Sequence, residues 1–220
     1  MFTASLINHS IPRLQLQDSV GKALRLINDY RVTHLAVIAE EKFLGIISEE
    51  DLLDVRNEKY SIEVLEKYFT KAAVLDTVHF LEAVNNCVRH DTNVVPVVNA
   101  ENDFMGVIST RDLLKALANF AGADEIGGLV ILEMEQSQFA ISEISRIVES
   151  NDCHIMHMNT TVDAASGMFR VTLHLSKREI AAVVATFERY DYDVVHFFGE
   201  QRFENEINHN YDNLMRYLNL

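Results

Sequence analysis

Along the first half of the chain the apolar positions switch between two rhythms. Val20, Leu24 and Ile27 fall four and three apart, the stripe of one helix face, and Asp18 ahead of them reads as its polar cap. Leu35–Ile38 is a short β-branched run, the mark of a buried strand, and the polar stretch "AEEK" turns the chain into a second strand, "FLGIIS". Ser48 and Asp51 then open another helix, and a short leading strand at Arg13–Leu16 completes a β-α-β-β-α unit. The same order returns with Ala72–Leu75, a cap at Asp76, the strand Val95–Val98, the turn "NAEND", "FMGVIS", and a helix opening at Ser109 and Asp112. After the small, acidic stretch Ala121–Gly128 the pattern changes. "LVILEME" predicts a strand, and "SQFAISEISRIVESND" predicts a helix with Phe139, Ile141, Ile144, Ile147 and Val148 on its apolar side. "CHIMHMNTTV" and "GMFRVTLHLS" predict a hairpin around Ala164–Gly167, "KREIAAVVATFERYDY" a second helix and "DVVHFFGEQ" a last strand. That order is βαββαβ, a ferredoxin-like unit, so the whole chain is α+β. In the tail, Phe203, Ile207, Tyr211, Leu214 and Leu218 form one stripe, which predicts an amphipathic helix over 202–220.

The first half is an internal repeat. "FLGIISEEDLL" (Phe43–Leu53) and "FMGVISTRDLL" (Phe104–Leu114) share Phe, Gly, Ile, Ser, Asp, Leu and Leu at the same places, and the offset between copies drifts from 58 to 61 through loop insertions near Phe80 and Asn102. The segments "RVTHLAVIAEEKFLGIISEEDLL" and "TNVVPVVNAENDFMGVISTRDLL" resemble the cystathionine-β-synthase (CBS) motif, which occurs in tandem. The βαββαβ unit resembles the ACT domain by its element order, and the CBS–CBS–ACT succession is similar to the acetoin-utilisation (AcuB-type) proteins. The expected organisation is a CBS pair over 1–120 (copies of about 1–60 and 61–120), a linker at 121–128, an ACT-like domain over 129–201 and the tail helix.

The resemblance implies a disc-like pair with two clefts for adenosine-containing ligands such as AMP, ATP or S-adenosylmethionine. In that family the Asp of Ser-x-x-Asp holds ribose and the Ser lies by the phosphate. This assigns Ser48 and Asp51 to one cleft and Ser109 and Asp112 to the other. The lining positions before the buried strand fall on Val32, Thr33 and His34, and on Thr92, Asn93 and Val94. The residues themselves leave a second reading open. Ser-x-x-Asp is also a capping box, which stabilises a helix by about 1 kcal/mol with no ligand at all. The copies differ between Ser and Asp. Glu49-Glu50 disfavours a phosphate, whereas Arg111 offers a planar fork for one, so the second cleft is the expected phosphate site. In ACT domains a Pro-Gly pair opens the first strand-to-helix turn to an amino acid. Here Gln138-Phe139 stands there, and Phe139 is expected to fill that space.

Net charge, −14 from 19 basic and 33 acidic residues, sets the surface against nucleic acid. No apolar run is long enough to span a bilayer and no signal peptide is evident, so a cytoplasmic protein is expected; the two lone cysteines, Cys87 and Cys153, suit a reducing compartment. Strand alternation places His154 and His157 of "HIMHM" on opposite faces, which argues against a metal site. There is no Gly-x-Ser-x-Gly, His-Glu-x-x-His or Walker-type loop and no base beside either Ser-x-x-Asp, so no catalysis is expected. The sequence reads as a regulatory sensor and homodimer acting on an unnamed enzyme or other partner. The alternatives are a ligand-free scaffold, or an amino-acid sensor working through the ACT-like half.

Overall fold

Residues 1–199 are described by the structure, a computed structural model. The apolar stripe expected over 202–220 lies outside the described residues. The chain divides into two units, Met1–Leu117 and Ala118–Leu220.

In the first unit, β1 (Arg13–Gln15), α1 (Val20–Tyr30), β2 (His34–Ala39), β3 (Lys42–Ser48) and α2 (Glu49–Leu53) form one copy. β4 (Val74–Leu75), α3 (Phe80–Arg89), β5 (Val94–Val98), β6 (Phe104–Ser109) and α4 (Thr110–Phe120) form the other. Each copy has a three-stranded sheet with the apolar run in the middle, in the orders β1-β2-β3 and β4-β5-β6. The first pairing in each is parallel and the second antiparallel. Burial explains why β2 and β5 are continuously apolar: Leu35–Ile38 and all of β5 are out of solvent. Ala36, Ile38, Phe43 and Ile46 of the first copy share one core with Val98, Phe104 and Val107 of the second, so the copies fold as one body.

Two helix starts differ from the expected ones. Ser19, not Asp18, caps α1, its Oγ accepting from the Lys22 amide at 3.2 Å. Asp18 instead accepts from the Gln15 amide at 2.9 Å and pairs with Lys22 at 2.7 Å, which closes the turn before the helix. In the second copy the insertion delays the helix to Phe80, so His79 and not Asp76 occupies the cap.

Each copy is closed by the segment that precedes the other. The N-terminal strap lies on the second copy, with the Thr3 amide donating to Val78 O at 3.0 Å and the Asn8 amide to Val107 O at 2.7 Å. Residues 58–70 lie on the first, with the Gly21 amide donating to Glu58 O and Ile46 and Thr70 exchanging a pair of bonds. This exchange gives the repeated glycine of "FLGIIS" and "FMGVIS" its purpose. A Cβ on Gly45 would sit 2.7 Å from Phe69 Cβ, and one on Gly106 (φ +146°) would overlap Ile7 Cγ2.

In the second unit, β7 (Gly128–Met134), α5 (Ile141–Glu149), β8 (Ile155–Val162), β9 (Phe169–Leu175), α6 (Ala181–Arg189) and β10 (Asp193–Phe198) follow in order. The sheet runs β10-β7-β9-β8, antiparallel throughout, which is the ferredoxin-like order. Alternate residues Val130, Leu132 and Met134, with Val171, Leu173 and Leu175, meet Ile144, Ile147, Val148, Val183 and Phe187 from the two helices. α5 begins later than expected because Gln136–Gln138 is a 3-10 turn, closed by reciprocal bonds between Glu135 and Gln138. Ile141 therefore stays exposed, while Phe139 precedes the helix and packs on the core, its ring 4.9 Å from that of Phe169. The hairpin turn forms at 163–168, with Asp163 accepting from the Ala165 and Ser166 amides and Gly167 in the left-handed region. A bulge between Ile155 and His157 breaks the alternation from which the sequence separates His154 and His157.

Candidate functional site

Both Ser-x-x-Asp pairs sit where a strand hands over to a helix. Ser48 Oγ accepts from the Asp51 amide at 3.0 Å and donates to Asp51 Oδ2 at 2.5 Å. Ser109 does the same with Asp112, at 3.2 and 2.6 Å. Each Ser thus makes its cap bond, while each Asp accepts from the Ser hydroxyl and not from the Ser amide, so the reciprocal half of a capping box is not formed. Thr33 and Asn93, at equivalent places in the two copies, bind each other across the pair. The Thr33 amide donates to Asn93 Oδ1 at 2.8 Å, and the Asn93 amide to Thr33 Oγ1 at 3.2 Å. Their carbonyls accept the first amides of the two helices, Glu49 N and Thr110 N, each at 2.9 Å. One reciprocal contact thus fixes both helix starts.

A cleft of about 390 Å³ opens at the first copy, lined by Thr33, His34, Ser48, Glu49, Glu50, Asp51, His90 and Asp91. The structure brings Thr33, His34, Ser48 and Asp51 together there. At the second copy Asn93, Ser109 and Asp112 are half-buried around the start of α4, and Arg111 is exposed beside them. Val32, Thr92 and Val94 do not line the cleft of the first copy. All three are buried: the two valines join the core beneath the first copy, and the Thr92 hydroxyl bonds the backbone of Val94.

Three residues escaped the sequence reading: His90, Asp91 and Asn8. His90 and Asp91 end α3 of one copy yet line the cleft of the other. The repeat held the signal, because an offset of 60 sets Tyr30-Arg31 against His90-Asp91, and Arg31 and Asp91 share left-handed φ values of 54° and 46°. The equivalent of acidic Asp91 is thus basic Arg31. Asn8, from the strap, donates to Asp112 Oδ2 at 3.3 Å.

The electrostatics of the copies diverge. The hydrogen bond from Ser109, against the opposing effect of burial, holds the Asp112 carboxyl below its ordinary range, with help from Asn8 and Lys115, so it is ionised at neutral pH. Burial pushes the His34 imidazole below its ordinary 6.5, outweighing Asp51, Asp91 and Glu50. A lowered folded-state pKa means that the unfolded chain binds this proton more readily. The stabilisation is therefore complete above the ordinary value and is lost as pH falls through the folded one. Thermal midpoints measured from about pH 7.5 to 5.5 should fall more steeply for the parent than for His34→Gln; equal slopes would contradict this.

The CBS domain family model matches residues 4–58 and 73–119. These two segments are a pair of CBS domains. Among curated proteins, inosine-5'-monophosphate dehydrogenase of Methanocaldococcus jannaschii is 29% identical over 100 residues, 44% of this chain and 20% of that protein. The chain spans less than two thirds of such relatives, 62% in the case of a second. Among solved structures, a CBS domain pair/ACT domain protein from Thermotoga maritima has a TM-score of 0.50 at 22% identity, covering 55% of this chain and 98% of that one. A CBS domain protein from Pyrobaculum aerophilum complexed with AMP has a TM-score of 0.44 at 22% identity, covering 54% and 99%. At 22% identity the Thermotoga maritima structure speaks for the fold alone. Among the described residues no helix is long and apolar enough to cross a membrane.

Proposed function

We propose that the CBS pair is a non-catalytic, cytoplasmic regulatory module that binds an adenosine nucleotide at Ser109, Arg111 and Asp112. The observation that carries this reading is the charge contrast between the copies around the same geometry. In the first, Glu49, Glu50, Asp51 and Asp91 line the cleft; at the equivalent places the second has Thr110, Arg111, Asp112 and Arg31. Asp112 accepts ribose hydroxyls while Arg111 and Arg31 meet the phosphate. AMP, ATP and S-adenosylmethionine are separated by their charge in this scheme, and the anionic nucleotides bind more tightly. A thermal-shift panel of these three, adenosine and free amino acids tests it. The nucleotides should raise the melting temperature; no shift with any of them contradicts it.

The cap bond that Ser makes in both copies, with no ligand needed, favours a second reading, a scaffold with empty clefts that acts by assembly with an unidentified protein partner. Amino-acid sensing by the ACT-like unit has less support. Its cleft of about 430 Å³ beside Gln138 is ringed by Glu133, Glu143, Asp191 and Asp193, which repel a free carboxylate. We assign this unit to dimerisation or relay. Light scattering should then give about twice 25.1 kDa, and a clean monomer at micromolar concentration contradicts it.

A further inference from the structure

We propose that Asn8 of the N-terminal strap sets the sugar specificity of the second cleft by competing with a vicinal diol for Asp112. The inference rests on the nucleotide reading of that cleft. Asp112 Oδ2 already has two protein donors, Ser109 Oγ at 2.6 Å and Asn8 Nδ2 at 3.3 Å. A carboxylate oxygen offers about two acceptor positions, so Oδ2 is full and Oδ1 is the oxygen left for a ligand. The direction of the Asn8 amide is fixed by its other end. Asn8 Oδ1 accepts from the Ser10 amide at 2.9 Å and from Ser10 Oγ at 2.6 Å, which turns the amino group toward Asp112.

Two adjacent sugar hydroxyls recognised by one carboxylate give one hydrogen bond to each oxygen. In that bidentate mode the second hydroxyl displaces a donor from Oδ2, whereas two hydroxyls on Oδ1 would leave Asn8 in place. Ser109 makes the shorter bond and caps α4, so Asn8 is the group that yields. A sugar with a single hydroxyl binds at Oδ1 and leaves Asn8 in place. The first copy has no such competitor: among the described residues Asp51 Oδ2 accepts from Ser48 alone, and Thr70 stands where the strap's Asn8 does, pairing with Ile46 as Asn8 does with Val107. The specificity device belongs to the second cleft.

The test is calorimetric titration of the full chain with AMP and 2′-deoxy-AMP, in the parent, Asn8→Ala and Asn8→Leu. The backbone bond of Asn8 to Val107 survives both changes, and leucine keeps the volume while removing the donor. Both variants should bind AMP about three- to tenfold more tightly and 2′-deoxy-AMP unchanged, so that the ratio of the two affinities rises. An unchanged or smaller ratio overturns the proposal, as does weaker AMP binding, which would make Asn8 a ligand contact. Asp112→Ala separates this from the parent reading. If it weakens AMP binding ten- to a hundredfold while the ratio ignores Asn8, only the present proposal falls; if the parent binds neither nucleotide, both fall.

Discussion

Gly106→Ala should lower the stability of the CBS pair by about 2–4 kcal/mol, more than any surface change in the same strand. The added methyl has nowhere to go. It would overlap Ile7 Cγ2 and sit 3.4 Å from His9 Nδ1, both on the N-terminal strap, with the backbone at φ +146°. Either the strap lifts from β6, breaking the Asn8–Val107 bond, or the strand distorts. Gly45→Ala meets Phe69 Cβ at 2.7 Å on the opposite clasp and should be destabilising for the same reason. Urea unfolding reads both, through the midpoint at constant slope. A Gly106→Ala midpoint equal to that of the parent would mean that the strap does not close the second copy.

The clasp also marks how far the sequence could be read. The β-α-β-β-α order was legible because β2 and β5 are buried on both faces, which forces runs such as Leu35–Ile38 and Val94–Val98. The ferredoxin-like order was legible for a related reason: the alternation of Val130, Leu132 and Met134 names the buried face outright. What the sequence hides is partnership across the repeat. A repeat announces which segments are alike and is silent on which of them pair, so nothing in it marks residues 58–70 or the strap as the pieces that close each copy. His90 and Asp91 stayed hidden similarly, since they line a cleft whose motif stands some forty residues earlier. Local competition explains the smaller misses. Asp18 is drawn to the Gln15 amide and leaves the cap to Ser19, and the turn at Gln136–Gln138 removes Ile141 from the buried side. The Ser-x-x-Asp pairs were legible as chemistry, yet their spacing serves caps and ligands equally, and only their neighbours distinguish the two copies.

Asp112→Ala should weaken AMP and ATP binding ten- to a hundredfold, because charge-assisted bonds to the sugar contribute about 1.5–3 kcal/mol. Arg111→Ala should weaken the phosphorylated ligands and leave adenosine nearly unaffected, since it removes a partner for phosphate alone. Asp51→Ala should do less, because Glu49, Glu50 and Asp91 already make the first cleft unfavourable for an anion. As caps alone, Asp51 and Asp112 would each contribute about 1 kcal/mol of stability and no affinity. The most direct test is therefore a titration of AMP into the parent protein and Asp112→Ala by calorimetry, after any carried-over ligand has been removed. The account predicts a saturable heat in the parent and a dissociation constant ten- to a hundredfold higher in the variant; a parent protein that gives no heat of binding, or a variant that binds as tightly as the parent, would contradict it.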